Sequence, residues 1–164
     1  MKNSDLEIVY KMYYKQLLLY AFGLTKNYYD AQDLVSTTMV KAALSFENGS
    51  IQAWLYKVLQ NEFYMFCRKQ KKIIYIEDIE QKLTFDCLII EKLIKEEQQI
   101  WLYHHILKLD EVKRNIMILS LYSILDDHEI AVQLNLSIEN IRTLRHRAKH
   151  ILIKMNKEEI KNGR

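Results

Sequence analysis

The sequence predicts an all-α protein made of two small helical domains that a flexible linker joins. Its 164 residues include no proline and only three glycines, so few residues interrupt helices. Hydrophobic residues make up 49% of the chain and charged residues 27%, which is typical of a folded protein. The helical spacing of apolar residues is lost over 73–86, so we expect domains over 1–72 and 87–164.

The first domain is expected to hold three helices, and the first two have a candidate capping residue near their start. Ser4 opens a capping-box sequence that Glu7 completes, and Asp30 is a good N-cap for the second helix. The segment ENGS, from Glu47 to Ser50, reads as a loop. The expected helices run from Ser4 to about Gly23, from Ala31 to about Phe46 and from Ile51 to about Lys71.

The second domain shows the same pattern of polar caps before apolar runs. Asp110 is expected to cap a helix to about Ser123, either Asp126 or Asp127 a short helix ending near Leu134, and Ser137 a last helix to about Glu159. The apolar stripe expected to pack the last helix onto its neighbours consists of Ile138, Ile141, Leu144, Ala148, Ile151 and Leu152.

Charge is unevenly distributed although the net charge is only +3. Basic residues dominate Cys67–Lys72 and 112–164, and acidic residues dominate the stretch between them, which indicates two surfaces for a polyanion. No apolar run reaches the roughly 18 residues of a membrane span, and the N-terminus has no signal-peptide core, so a cytoplasmic protein is expected. Cys67 and Cys87 are expected to be reduced, and we expect neither a metal site nor a cofactor.

The stretch Leu125–Lys154 predicts DNA binding. A short helix, a three-residue polar step and a longer basic helix follow one another there, which is typical of a helix-turn-helix whose second helix enters the major groove. A solvated basic helix face is the alternative, but residues 138–154 carry five basic side chains and one acidic. The residues expected to face DNA are Ser137, Glu139, Asn140, Arg142, Thr143, Arg145, His146, Arg147 and Lys149.

Two further segments, AQDLVSTTMVKA from Ala31 and WLYKVLQNEFYMFCRKQKK from Trp54, precede the helix-turn-helix. With EIAVQLNLSIENIRTLRHRAKHIL from Glu129, they make the chain resemble the extracytoplasmic-function sigma factors, small RNA polymerase sigma subunits of the sigma-70 superfamily. The resemblance covers nearly the whole chain except the linker. It implies a region 2-like bundle over 1–72 and a region 4-like helix-turn-helix domain over 87–164.

The resemblance also implies roles for individual residues. Residues implied to dock on the polymerase clamp coiled coil are Asp33, Leu34, Val35 and Ser36, the last in place of the family's usual Gln. Residues implied to recognise and open the minus-ten promoter element are Phe46, Asn48, Ser50, Asn61, Tyr64, Arg68 and Lys69. The helix from Ser137 is implied to read the minus-thirty-five element, and Gln60 and Met65 depart from the family pattern.

The partners implied are core RNA polymerase, through its clamp coiled coil and flap regions, promoter DNA and an anti-sigma factor. The alternative function is a free-standing helix-turn-helix repressor or activator, in which residues 1–110 form an oligomerisation domain. An enzyme such as a nuclease would need a cluster of carboxylates or metal ligands. The dense acidic group, Asp126, Asp127 and Glu129, is better explained by helix capping. We therefore expect a sigma subunit that is not an enzyme.

Overall fold

A computed structural model describes residues 1–70 and 86–163 of the protein. Within these residues every regular element is a helix, which confirms the predicted all-α class. The chain divides into two compact units, Met1–Leu93 and Ile94–Arg164. The helices are α1 (Asn3–Thr25), α2 (Tyr28–Ser45), α3 (Ile51–Lys69), a short helical segment over 86–91, α4 (Glu97–Ile106), α5 (Glu111–Tyr122), α6 (Asp127–Leu134) and α7 (Ile138–Lys161).

The first unit is a bundle in which α1, α2 and α3 pack against one another. Its centre is aromatic as well as aliphatic: the rings of Tyr20 and Tyr56 meet edge to face with centroids 5.5 Å apart, and both side chains are buried. Such aromatic pairs add stabilisation beyond the apolar area that they bury. Other buried apolar side chains of this unit are Leu17, Leu18, Phe22, Val35, Leu55 and Leu59.

Two of the expected helix starts in the first unit are wrong. α1 begins at Asn3 with Lys2 as its N-cap, because the amides of Asp5 and Leu6 both donate to the Lys2 carbonyl at 3.0 Å. α2 begins at Tyr28, and its N-cap is Asn27, whose side chain accepts from the Asp30 amide at 3.0 Å.

The start of α2 depends on a residue far away in the sequence. The buried carboxylate of Asp86 accepts a hydrogen bond from the Tyr28 amide at 3.0 Å. This contact satisfies an amide that the helix itself leaves without an acceptor. Asp86 lies in the first compact unit, which extends to Leu93, whereas the sequence suggested a second domain from residue 87. The remainder of the expected linker, 73–85, lies outside the described residues.

The second unit is built around α5 and α7, which pack against each other and against the shorter helices. Ser137 caps α7 as expected, and Asp110 caps α5. The apolar stripe of α7 is narrower than predicted: Ile141, Ala148 and Leu152 are buried, but Ile151 is exposed. Ile138 and Leu144 are half-buried.

A polar contact fixes the far end of α7. The Glu159 carboxylate accepts from the indole Nε1 of Trp101 at 2.6 Å and lies 2.5 Å from Nε2 of His105. The hydrogen bond from Trp101, assisted by His105, lowers the pKa of Glu159. The last turns of α7 are therefore fixed to α4 by contacts of Glu159 with Trp101 and His105, which lie 58 and 54 residues away in the sequence.

Candidate nucleic-acid interface

The joint between α6 and α7 has the geometry of a helix-turn-helix. Asp126 and Glu129 form a capping box at the start of α6, which settles the choice between Asp126 and Asp127. Asn135 ends α6 in the left-handed region, with φ 55° and ψ 46°, and the Leu136 amide donates to the Ala131 carbonyl at 3.0 Å. Asparagine is one of the few non-glycine residues that adopt this conformation readily, so the turn is tight enough for α7 to start at Ile138.

α7 presents a polar surface along its first half. All the residues predicted to face DNA on this helix and at its cap are exposed except Arg145. The Ser137 hydroxyl accepts from the Asn140 amide at 3.1 Å. Two histidines also lie on the exposed surface, His146 and His150, with their Nε2 atoms 3.0 Å apart. The exposed surface therefore carries cations, amides and hydroxyls, which are the side-chain groups that contact the bases and phosphates of DNA.

Arg145 differs from the other predicted DNA contacts because its side chain forms hydrogen bonds with other helices of the same domain. Its side chain is 20% exposed. Its two Nη atoms donate to the Asp127 carboxylate at 2.6 and 2.9 Å, and Nη1 also lies 3.3 Å from the Ser120 hydroxyl. Arg145 thus joins α5, α6 and α7.

Asp127 is the residue that sequence reasoning interpreted only as a possible cap. Its carboxylate receives the two bonds from Arg145 and a third from Nε of Arg142 at 3.1 Å. The hydrogen bond from Arg145, followed by that from Arg142, lowers the Asp127 pKa to about 2, so the group is ionised at neutral pH. The sequence did contain a signal for this ion pair. An acidic residue, Asp127, follows the cap of one helix, and Arg142 and Arg145 lie one helical turn apart on the next helix.

The first unit carries the residues predicted for the minus-ten element. In the loop and first turn of α3, the Phe46 ring packs edge to face on Trp54 with centroids 5.7 Å apart, and the Ser50 hydroxyl caps α3 through the Ala53 amide at 3.3 Å. Asn48 is exposed in the same loop.

Further along α3, Asn61 and Tyr64 are exposed, and the Tyr64 hydroxyl lies 3.3 Å from the Gln60 side-chain amide. Arg68 and Lys69 lie in the last turn of α3, where the helix dipole favours cations. The same two side chains are available to contact DNA phosphates. The exposed residues therefore follow α3 from its start to its end.

The four residues implied to bind polymerase do not share one surface. Leu34 is 5% exposed and Val35 is fully buried in the core of the first unit. Asp33 and Ser36 are exposed on α2. Leu34 and Val35 thus pack the bundle, and the side chains available to a partner are those of Asp33 and Ser36.

An apolar cleft of about 760 Å³ opens on the second unit. Its walls come from α4, α5 and α7, and they include Trp101, Leu102, Met117, Leu121 and Ile153. Leu121 and Ile153 are 45% and 52% exposed, so the cleft leaves apolar side chains in contact with solvent. An open cleft with apolar walls is one of the features found at sites where proteins bind apolar side chains of a partner.

The described residues contain no group of three or more His, Cys, Asp or Glu side chains placed to hold a metal ion. Cys67 is exposed and Cys87 is buried, and neither forms a disulfide within the described residues. Burial raises the pKa of the Cys87 thiol to about 11, so that thiol is protonated. No helix in the described part of the chain is both long and apolar enough to cross a membrane.

A helix-turn-helix with an exposed basic second helix, in an all-helical chain, is typical of a DNA-binding protein. A family profile described as Sigma-70 region 2 matches residues 9–73. The chain is 31% identical over 160 residues to RNA polymerase sigma factor YlaC of Bacillus subtilis (strain 168), covering 91% of each chain. It is 30% identical over 145 residues to RNA polymerase sigma factor SigV of the same organism, covering 85% of this chain and 84% of that one.

A similar fold occurs in the sigma factor RpoE, solved in complex with the anti-sigma factor NepR from Bartonella quintana. The TM-score is 0.65 at 23% identity, with 93% of this chain and 97% of that chain covered. The chain therefore belongs to the RNA polymerase sigma factors, in the extracytoplasmic-function group that its motifs predicted.

Proposed function

We propose that this sigma factor binds core RNA polymerase and directs promoter recognition and transcription initiation through two DNA-binding surfaces. The observation that carries the proposal is a helix-turn-helix with an exposed basic helix, in a chain that matches a sigma factor over 91% of its length. The chain itself performs no bond chemistry in this role, because the polymerase catalyses RNA synthesis. It acts where the polymerase is, in the cytoplasm.

The second unit recognises the minus-thirty-five element. α7 enters the major groove, which at about 12 Å admits one helix of about that diameter. Arg142, Arg147 and Lys149 supply cations to bases and phosphates, while Asn140 and Thr143 supply hydrogen bonds. The helix N-terminus at Ser137 favours a phosphate.

The first unit recognises and opens the minus-ten element. Strand separation costs about 1.4 kcal/mol per base step, so the separated strand must be held by other contacts. An aromatic surface contributes about 1–3 kcal/mol per stacked base. Tyr64 and the loop containing Phe46 offer stacking, Asn48, Ser50 and Asn61 offer hydrogen bonds, and Arg68 and Lys69 offer charge.

Two surfaces bind the polymerase. Asp33 and Ser36 on α2 contact the clamp coiled coil, and the apolar cleft beside Trp101 takes the flap region. The exposed apolar side chains of the cleft support this second contact. An anti-sigma factor would inhibit the protein by covering these same surfaces, and the fold shared with a sigma factor solved in such a complex supports this.

Transcription with purified components tests the proposal. Core RNA polymerase mixed with the full chain should initiate at defined promoters, whereas core polymerase alone should give no promoter-dependent transcript. The chain should also co-elute with core polymerase as a one-to-one complex in size-exclusion chromatography.

The alternative function predicts a different result. A free-standing repressor would form a dimer and bind duplex promoter DNA tightly without polymerase. Failure to co-elute with core polymerase, together with tight duplex binding by the chain alone, would contradict the sigma function.

A further inference from the structure

Asp127 lies between two arginines that have the same charge but different surroundings. Asp127 is the first residue of α6, and Arg142 and Arg145 lie one turn apart on α7. The Arg145 side chain is 20% exposed, and that of Arg142 is 66% exposed. One carboxylate therefore contacts a guanidinium inside the domain and a guanidinium at the surface.

Arg145 acts as a brace between helices. Both of its Nη atoms donate to Asp127, at 2.6 and 2.9 Å, in the two-pronged arrangement that suits a guanidinium and a carboxylate. The Ser120 hydroxyl on α5 lies within 3.3 Å of Nη1. These bonds occupy the donors that would read a base, so Arg145 stabilises the crossing of α6 and α7 rather than contacting DNA.

Arg142 is held differently. Asp127 accepts only from its Nε, at 3.1 Å. Within the described residues, the hydrogen bonds of Arg142 to other side chains are limited to this one from Nε, so Nη1 and Nη2 remain available on a side chain that is 66% exposed. An arginine presenting two donors can bind O6 and N7 of guanine simultaneously, which is the commonest base-specific contact in the major groove.

Fixing an arginine before it meets DNA has a clear physical benefit. A free arginine loses side-chain entropy when it is immobilised at an interface, and this loss opposes binding. Asp127 restricts Arg142 in the unbound protein, and the net charge of the three side chains remains positive, so attraction to DNA is retained.

We propose that Asp127 is a positioning residue that orients Arg142 to read one guanine in the minus-thirty-five element. This inference rests on the proposed sigma function, and it assigns different roles to two arginines that the sequence treats alike. Arg142 determines specificity at one base pair, Arg145 maintains the helix-turn-helix, and Asp127 acts through both.

The test uses the full chain with core polymerase and a promoter library in which each position of the minus-thirty-five element is randomised. Sequencing of the transcripts gives the base preference at every position. The wild-type protein should prefer guanine at one position, and both Arg142→Ala and Arg142→Lys should lose about tenfold in that preference. Lysine keeps the charge but cannot form the two-pronged contact, so the lysine variant separates base reading from phosphate attraction.

Asp127→Asn should lose preference at the same position as Arg142→Ala, and combining the two should cause no further loss. The matched control is Asp126→Asn, which removes the same charge one residue earlier, contacts neither arginine and remains a good N-cap. Its base preferences should equal those of the wild type. Thermal unfolding of each variant identifies any loss that comes from the fold.

Three results would overturn the inference. Arg142→Lys could keep the guanine preference, or Asp127→Asn could leave every preference unchanged. Asp127→Asn could also strengthen binding to all sequences equally with a steeper dependence on salt, in which case the carboxylate only offsets charge. A wild-type chain that gives no promoter-dependent transcript would instead contradict the proposed function, so the two failures are distinguishable.

Discussion

Arg145 illustrates how a side chain of one chemical type changes its role with its surroundings. Its position among other cations on α7 suggested a contact to DNA. In the folded domain it lies between Asp127 and Ser120, and the bond with Asp127 raises its pKa further. An arginine so placed contributes to stability through its geometry, because a two-pronged ion pair between helices loses little to solvent screening compared with an exposed pair.

The ion pair predicts a pH dependence of stability. The folded pKa of Asp127 is about 2, below the ordinary value of 3.8. A lowered carboxyl pKa stabilises the fold above the ordinary value, and this stabilisation is lost as the pH falls through the folded pKa. The difference in free energy of unfolding between wild type and Asp127→Asn should therefore be nearly constant from pH 7 to about 5 and shrink as the pH falls from there towards 2.

Denaturant unfolding followed by circular dichroism measures this difference at each pH. Asp126→Asn is the reference variant, since the Asp126 carboxylate accepts from the Glu129 amide and, among the described residues, pairs with neither Arg142 nor Arg145. A difference for Asp127→Asn that does not change down to pH 2 would show that the ion pair does not stabilise the domain.

At the scale of the element, the ends of helices carry most of the information about the fold. Asp110 and Ser137 cap their helices as predicted, because a side-chain oxygen close to the first amides is a local feature. The start of α2 depended on Asp86, which lies 58 residues from Tyr28. The predicted cap, Asp30, is wrong because Asn27 three residues earlier accepts from the Asp30 amide, and Asp86 adds a bond to the Tyr28 amide that no local pattern predicts.

The turn between α6 and α7 gives a prediction for one backbone position. Asn135 has φ 55°, a conformation that costs a residue with an ordinary side chain about 1–2 kcal/mol and glycine almost nothing. Asn135→Ala should lower the free energy of unfolding by about 1 kcal/mol, and Asn135→Gly should leave it nearly unchanged. Urea titrations of both variants provide the measurement, and equal stability of the two would contradict this account of the turn.

At the scale of the whole molecule, the chain consists of two units that carry different parts of the proposed function. The first unit holds Asp33 and the α3 surface, and the second holds the helix-turn-helix and the apolar cleft. The family motif on α2 contains core residues, Leu34 and Val35, and exposed residues, Asp33 and Ser36, within four consecutive positions. Because successive residues on a helix point about 100° apart, such a motif cannot lie on a single surface.

The α2 motif can be separated by two substitutions. Asp33→Ala should weaken binding to core polymerase while leaving thermal stability unchanged, because the side chain is exposed. Leu34→Ala should instead lower the free energy of unfolding by about 2–5 kcal/mol, because it creates a cavity in the core. Size-exclusion chromatography with core polymerase and thermal unfolding measure the two effects. Normal polymerase binding by Asp33→Ala would remove Asp33 from the proposed interface.

The sequence by itself determined the helical class, most of the caps, the helix-turn-helix and the sigma-factor family. These features depend on local spacing and on short motifs, which the chain carries whatever its tertiary contacts. Only the tertiary structure decided that Leu34 and Val35 are core residues, that Asp86 belongs with the first unit, and that Asp127 contacts Arg142 and Arg145. Each of these depends on atoms brought together from separate helices, and neither helical spacing nor charge along the chain specifies which side chains meet.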